Sequence, residues 1–177
     1  MADPRNGYPM FQQAYFVNDV EAHAKKWSEL YGAGPFRIAA HHKTDSFEYR
    51  GQPIEADVSY AFGYLGDIMI QFIQQHDEKA SIYRDMYKRG EEGFHHVAFL
   101  ARDFEGEFKR LQEMGFDCAC RLHADNVDAA YFDTRSVNGC FTELHGDPPQ
   151  AMRERWTALK RSHELWKPGD HWLVDIR

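Results

Sequence analysis

Apolar and polar positions alternate over residues 10–17 (MFQQAYFV), the period of a half-buried strand. Asn18 or Asp19 then caps a helix over roughly 20–31, with Val20, Ala24, Trp27, Leu30 and Tyr31 on one stripe. Gly32 and Gly34 stop it, and Pro35 opens an extended segment. Residues 36–42 and 46–50 read as strands or one long hairpin, with Gly51-Gln52-Pro53 as punctuation. Two runs, 55–64 (EADVSYAFGY) and 67–74 (DIMIQFIQ), are joined by Leu65-Gly66 as a hairpin. A polar stretch with a weak helical pattern, 75–93, acts as connector. The order then returns: strand 95–101, helix 103–114, an extended piece to about 122, and strands 128–134 and 139–145. Asp147-Pro148-Pro149 ends this run. A helical stretch over 150–166 and a final HWLVDIR complete the chain.

The two halves are copies. QQAYFVNDVEAHAKKWSELYGAGPF (12–36) and HHVAFLARDFEGEFKRLQEMGFDC (95–118) each open on a polar pair and cross a short apolar stretch. Each then turns at an Asp and runs as an amphipathic helix to Gly. The offset is 84 residues, far too long for a solenoid repeat, so the pattern predicts two βαβββ modules. The fold class expected is α+β: paired modules forming a curved mixed sheet around a metal-binding cleft, with a C-terminal helical tail. Module one covers about 10–74, the connector 75–93, module two about 94–147 and the extension 148–177, in one domain. The tail is expected to pack across an open end of the sheet or against a partner subunit.

Aligning the copies on Asp19 and Asp103 sets Gln12 against His96, rather than Gln13 against His95. The closing strands add a second correspondence, Gln71 in DIMIQFIQ and Glu143 in GCFTELHG. Polar groups in apolar strands are costly unless paired, hydrogen-bonded or bound to metal. Together the four residues offer one imidazole nitrogen, one carboxylate and two amide oxygens. That donor set suits a single Zn, Mn, Co, Ni or Fe dication with positions left open.

Composition narrows the partners. A net charge of −7 argues against nucleic acid. No stretch approaches the ~20 apolar residues of a membrane span, and the N-terminus carries no leader-like apolar run. Cys118, Cys120 and Cys140 lack zinc-like spacing and are expected as small buried hydrophobes in a reducing, cytoplasmic setting. Aromatic residues reach 15% and serve either a core or a pocket for an apolar ligand. Phe16, Phe62, Tyr64, Phe72, Phe99, Tyr131 and Phe141 are the candidates. No cysteine or arginine constellation marks a glutathione site, and no basic cluster marks one for coenzyme A phosphates. His41, His42, His95, His123 and His145 lie in or beside expected strands as possible acids or hydrogen-bond donors.

FQQAYFVNDVEAHAKKWSELYGAGPF, GDIMIQF, GFHHVAFLARDFEGEFKRLQEMGF and GCFTELHG, spanning roughly 10–147, resemble the vicinal oxygen chelate superfamily. The glyoxalase I and methylmalonyl-CoA epimerase branch is the most similar. The resemblance implies metal ligands on the first and last strands of each module: Gln12, Gln71, His96 and Glu143. It also implies Glu143 as a catalytic base and a homodimer. Epimerases keep a Glu on the third strand of module one; here EADVSYAF offers Asp57, Ser59 or Tyr60, with Asp57 the nearest replacement. The set is a hybrid. Gln12 stands where epimerase-like members carry His, and Gln71 where glyoxalase I carries Glu. The implied activity is a metal-dependent lyase, isomerase or epimerase acting through an enolate of a small, rather apolar carbonyl metabolite with vicinal oxygens. A non-catalytic, resistance-type binding protein is the alternative. Ring-cleaving dioxygenase chemistry is disfavoured, because Gln12 breaks a two-His, one-carboxylate triad.

Overall fold

In the computed structural model, which describes residues 9–167 and 169–176, the alternating N-terminal segment forms β1 (Met10–Phe16). Most of the N-terminal stretch read for a leader lies outside the described residues. Gln12, Ala14 and Phe16 are buried on one face of β1, as alternation requires. Helix α1 (Val20–Tyr31) starts at Asp19, whose carboxylate accepts from the Ala22 amide at 2.9 Å, and ends at Gly32 with φ 69°. Its counterpart α3 (Phe104–Glu113) starts at Asp103, which accepts from the Gly106 amide at 3.0 Å. The same cap chemistry therefore sets both copies. The α1 stripe departs from expectation at its end, where Leu30 and Tyr31 are exposed and Ser28 is buried instead. The Ser28 hydroxyl reaches the Ala24 and Ala33 carbonyls, at 3.1 and 2.7 Å, so a polar side chain satisfies the helix end from inside.

After α1 the chain forms β2 (Arg37–Ala39), β3 (Ser46–Tyr49), β4 (Gln52–Pro53), β5 (Val58–Leu65) and β6 (Ile68–Gln75). The connector holds only a short α2 (Ile82–Met86). Module two supplies β7 (Gly93–Leu100), α3, β8 (Cys118–Ala124), β9 (Val127–Phe132), α4 (Arg135–Asn138) and β10 (Phe141–His145), followed by α5 (Gln150–Leu165). The described strands form one curved mixed sheet in the order β2-β5-β6-β1-β7-β10-β9-β8-β3-β4. At its centre β1 and β7 run antiparallel, pairing Gln12 with Ala98 and Ala14 with His96. These two pairs exchange under the 84-residue offset, so the sequence repeat becomes a local two-fold axis. Each central strand is flanked by the parallel last strand of its own module, β6 beside β1 and β10 beside β7.

Residues 36–42 and 46–50 do not make a hairpin together. β2 pairs with β5 of its own module, whereas β3 crosses to β8 of module two and carries β4 with it. Glu143 follows Gln71 by 72 residues rather than 84, and this excursion has no equivalent in module two.

Ala14, Phe16, Tyr60, Tyr83, Tyr131 and Phe141 pack together across the concave face. Behind module one, Val20, Ala24, Phe36 and Phe72 pack under α1. Behind module two, Leu111 packs against Ala130, Phe132 and Leu144. Cys120 and Cys140 are buried and Cys118 is half-buried. The tail takes the first of its two expected positions: Leu159 packs against Tyr64 and Met69, and Phe36 exchanges backbone hydrogen bonds with Trp172 and Val174. No described helix is long and apolar enough to cross a membrane.

Gly63 on β5 lies against the Phe36 ring, and a Cβ there would stand 2.6 Å from it. Phe36 is fully buried and cannot withdraw. Gly63→Ala should therefore destabilise the fold by about 1–3 kcal/mol, the usual cost of overpacking, read as a lower denaturation midpoint. An unchanged midpoint would show that the Phe36 packing is loose.

Candidate metal centre

Four adjacent strands, β6, β1, β7 and β10, each bring one polar side chain to the concave face. Ala14 pairs with Gln71 and Ala98 with Glu143, so Gln71 and Glu143 occupy equivalent positions in the two modules. Gln12, Gln71, His96 and Glu143 are all buried in surroundings that are otherwise apolar. They form two couples. The Gln12 amide donates to Gln71 Oε1 at 2.6 Å, and His96 Nε2 stands 2.9 Å from Glu143 Oε2.

The second couple is unusual. His96 Nε2 is close to the carboxylate but makes no hydrogen bond to it or to any other group among the described residues. The neighbouring histidine explains its state. The register between β1 and β7 shifts between Ala14/His96 and Tyr15/Phe94, so His95 is the extra residue of a β-bulge. The bulge lets both histidines turn inward, against strict alternation. Their Nδ1 atoms meet at 2.8 Å, and His95 Nε2 lies 3.2 Å from the Ile82 carbonyl. A carbonyl only accepts, so His95 carries its proton on Nε2 and presents a lone pair at Nδ1. His96 Nδ1 must then be the donor. This leaves His96 Nε2 facing the Glu143 carboxylate, a nitrogen and an oxygen that could share a cation. Burial, followed by the nearby His96, holds the His95 pKa well below the usual imidazole value of 6.5.

Burial alone would raise the Glu143 carboxyl, but His96, His145 and the Tyr131 hydroxyl outweigh it and the net shift is downward. The group is an ionised carboxylate at neutral pH. Gln12, Gln71 and Glu143 line a cavity of about 260 Å³, together with Tyr60, Phe62 and Tyr131. His96 does not line it and meets the group through Glu143. Burial pushes the Tyr60 and Tyr131 hydroxyls above their usual range, so both stay protonated as donors.

Asp57 is not brought to this group. Phe62 pairs with Gln71, so Tyr60, Phe62 and Tyr64 share the concave phase of β5 while odd-numbered positions face away. Asp57 precedes β5 in the outward phase. It bonds His41 Nδ1 at 2.7 Å and, with His76, forms an exposed group whose ligand atoms lie within 4.8 Å of one another. Of the register alternatives, Tyr60 is the one that reaches the cavity. Among the candidate aromatics Phe62 and Tyr131 line it, whereas Phe16 and Phe141 are concave core and Phe72 packs behind the sheet. His42 and His145 also line the cavity; His123 is turned to Asp128 at 3.0 Å. Sequence reasoning missed Arg37 and Arg155, which the fold brings to this cavity from opposite ends of the chain. It named His95 only as one of five histidines able to act as acid or donor and missed the bulge that turns it inward beside His96.

Residues 11–131 match the family described as the glyoxalase/bleomycin resistance protein/dioxygenase superfamily. The chain belongs to this superfamily. Among the four residues at the centre, Gln12, Gln71 and His96 fall inside the matched vicinal oxygen chelate segment and Glu143 lies just beyond it. No curated protein matches the sequence. Solved structures share the fold. A hypothetical protein of Bacillus halodurans superposes with a TM-score of 0.57 at 19% identity, covering 81% of this chain and 96% of that one. Methylmalonyl-CoA epimerase from Mycobacterium tuberculosis gives 0.56 at 14%, over 81% and 91%. Streptomyces coelicolor methylmalonyl-CoA epimerase, in complex with 2-nitronate-propionyl-CoA, gives 0.54 at 16%, over 79% and 97%.

The proton arrangement at the two histidines has a measurable sign. Below about pH 6.5 the unfolded chain binds a proton at His95 that the folded chain refuses, so stability falls as pH drops below that value. The expected slope is up to about 1.4 kcal/mol per pH unit from this residue, and His95→Phe should flatten it. Nitrogen-15 NMR should show His95 as the neutral Nε2–H tautomer at pH 6. A cationic His95 there would overturn the assigned chain of hydrogen bonds.

Proposed function

We propose that this vicinal oxygen chelate protein is a metal-dependent isomerase, epimerase or lyase that moves a proton at a carbon next to a carbonyl. The observation that carries the reading is the buried His96 Nε2, without a hydrogen-bond partner and 2.9 Å from an ionised carboxylate at the cavity floor. Gln12, Gln71, His96 and Glu143 would hold a divalent cation, and their mixed nitrogen and oxygen donors suit Zn, Mn, Co, Ni or Fe. The bound ion would supply Lewis acidity to adjacent substrate oxygens and so acidify the neighbouring C–H. The superfamily's metal-dependent, enolate-type catalysis supports this class.

The chain's own groups divide the remaining work. Glu143, ionised at the cavity wall, accepts the proton from carbon and can return it. Tyr60 and Tyr131, held protonated by burial, donate hydrogen bonds to oxygen as negative charge develops there. Tyr60 is itself anchored by Tyr83, with the hydroxyls 2.9 Å apart. The walls contributed by Phe62, Met69 and Leu159 exclude water around the reacting carbon.

Metal analysis of the purified protein tests the reading directly. One equivalent of a divalent cation is expected, with affinity reduced at least ~100-fold in His96→Ala and Glu143→Ala. Deuterium uptake from heavy water into an α-hydroxyketone should require the metal and be lost in Glu143→Gln. Metal that survives Glu143→Ala but disappears in His41→Ala would move the site to the exposed His41, Asp57 and His76 group. Absence of metal under any loading condition would favour the alternative, a small-molecule binding protein.

A further inference from the structure

The cavity wall also carries cationic groups. Arg37 on β2 and Arg155 on α5 both line it. In a chain of net charge −7, two guanidinium groups share this cavity with two carboxylates, Asp125 and Glu143. Their existing partners differ, one neutral and one anionic. Arg37 Nε donates to the Ile176 carbonyl at 2.8 Å, a neutral acceptor, and Arg155 donates to Asp125 Oδ2 at 3.2 Å. Asp125 is placed by the two-residue turn between β8 and β9, where Asp125 and Asn126 take φ of 53° and 60°. Partial burial, and next the nearness of Arg155, hold the Arg37 guanidinium below its usual pKa, although Asp125 and Asp175 oppose this. Arginine does not give up its proton in a protein, so Arg37 stays a cation in the cavity wall.

The fold shows that this end is an addition to the repeat. Arg155 sits on α5, which has no counterpart in module one and also supplies Met152, Trp156 and Leu159 to the cavity. Trp156 is fixed by stacking on Phe11, with ring centroids 5.1 Å apart. Phe11 is available because a second register shift, between Met10 and Gln12, makes it the extra residue of β1. The cavity lining thus combines metal-competent donors, apolar side chains and an arginine pair.

We infer that the substrate is a compact carboxylate, its acid group held by Arg37 and Arg155 and its carbonyl end turned toward Glu143. This rests on the function proposed above for the position of the carbonyl, but the arginine subsite stands by itself. Arg37 meets a neutral carbonyl rather than a carboxylate through its Nε, so its planar fork matches a carboxylate ligand. A volume of about 260 Å³ is small for a ligand pocket, so an enclosed substrate must be compact. Arginine forks carry the planar, two-point geometry that a carboxylate needs.

Calorimetric titration of the full chain with benzoate, benzamide and inorganic phosphate, each with and without Mn²⁺, tests the inference. Benzoate should bind at least ~10-fold more tightly than benzamide, with or without the metal. Arg37→Gln and Arg155→Gln should each weaken benzoate ~10-fold and leave benzamide unchanged, while Arg155→Lys should recover part of the loss. Arg155 lies on an outer helix, so its variants test the subsite even if Arg37→Gln does not fold, which thermal melts will show. Equal affinity for benzoate and benzamide, or benzoate binding indifferent to both arginines, would overturn the subsite. Benzoate binding that needs Mn²⁺ and ignores the arginines would do the same. Phosphate binding more tightly than benzoate, with arginine dependence, would overturn the carboxylate assignment. Arginine-dependent benzoate binding in a protein that takes up no metal would instead sink the proposed function and leave this inference standing.

Discussion

The antiparallel contact between β1 and β7 is the constraint on which the rest of the structure depends. It is the seam where two copies of one module meet, and it turns a linear repeat into a shared concave face. Burying two amides, an imidazole and a carboxylate among apolar strands would cost roughly 1–3 kcal/mol for each unpaired group. The seam limits that cost by delivering them in pairs, amide to amide and imidazole to carboxylate. The first couple is satisfied by a hydrogen bond. The second is not, and the difference between the couples is what gives the cavity floor its chemical polarity.

The parts of the fold that follow from local rules were legible. Asp19 and Asp103 cap their helices, Gly66 turns its hairpin, and the period-two pattern of β1 assigns Gln12 to the inward face. The offset between copies set Gln12 against His96 and Gln71 against Glu143, and the sheet register places each couple at equivalent positions. What escaped were features that local rules do not encode. Strand β3 leaves its own module to pair with the edge of β8, and no short window of sequence contains both strands. His95 turns inward because a bulge interrupts alternation by a single residue. Asp57 was the nearest carboxylate in composition but stands in the wrong phase of β5. Arg37 and Arg155 come together only through the docking of α5, a tertiary event.

Membership of the superfamily accounts for the sheet, whereas the differences between the modules carry the individuality of this protein. An amide pair on one side and an imidazole–carboxylate couple on the other put the ionised group on module two alone. The added helix then brings Arg155 to the cavity wall that Arg37 of module one also lines. Charged groups of both signs in one wall select a ligand's orientation as well as its composition.

The crossing of β3 and β4 to the far edge of the sheet has a mechanical consequence. The two modules are tied once at the β1–β7 seam and again by a strand of the first laced onto the second. Splaying the halves apart like a book would break the β3–β8 ladder as well as the seam. Helix α5 lies outside that doubly tied frame, packed on it through Leu159 and joined to Phe36 by the backbone of the tail. The cavity wall it forms is an attachment to the duplicated frame, with no strand ladder of its own.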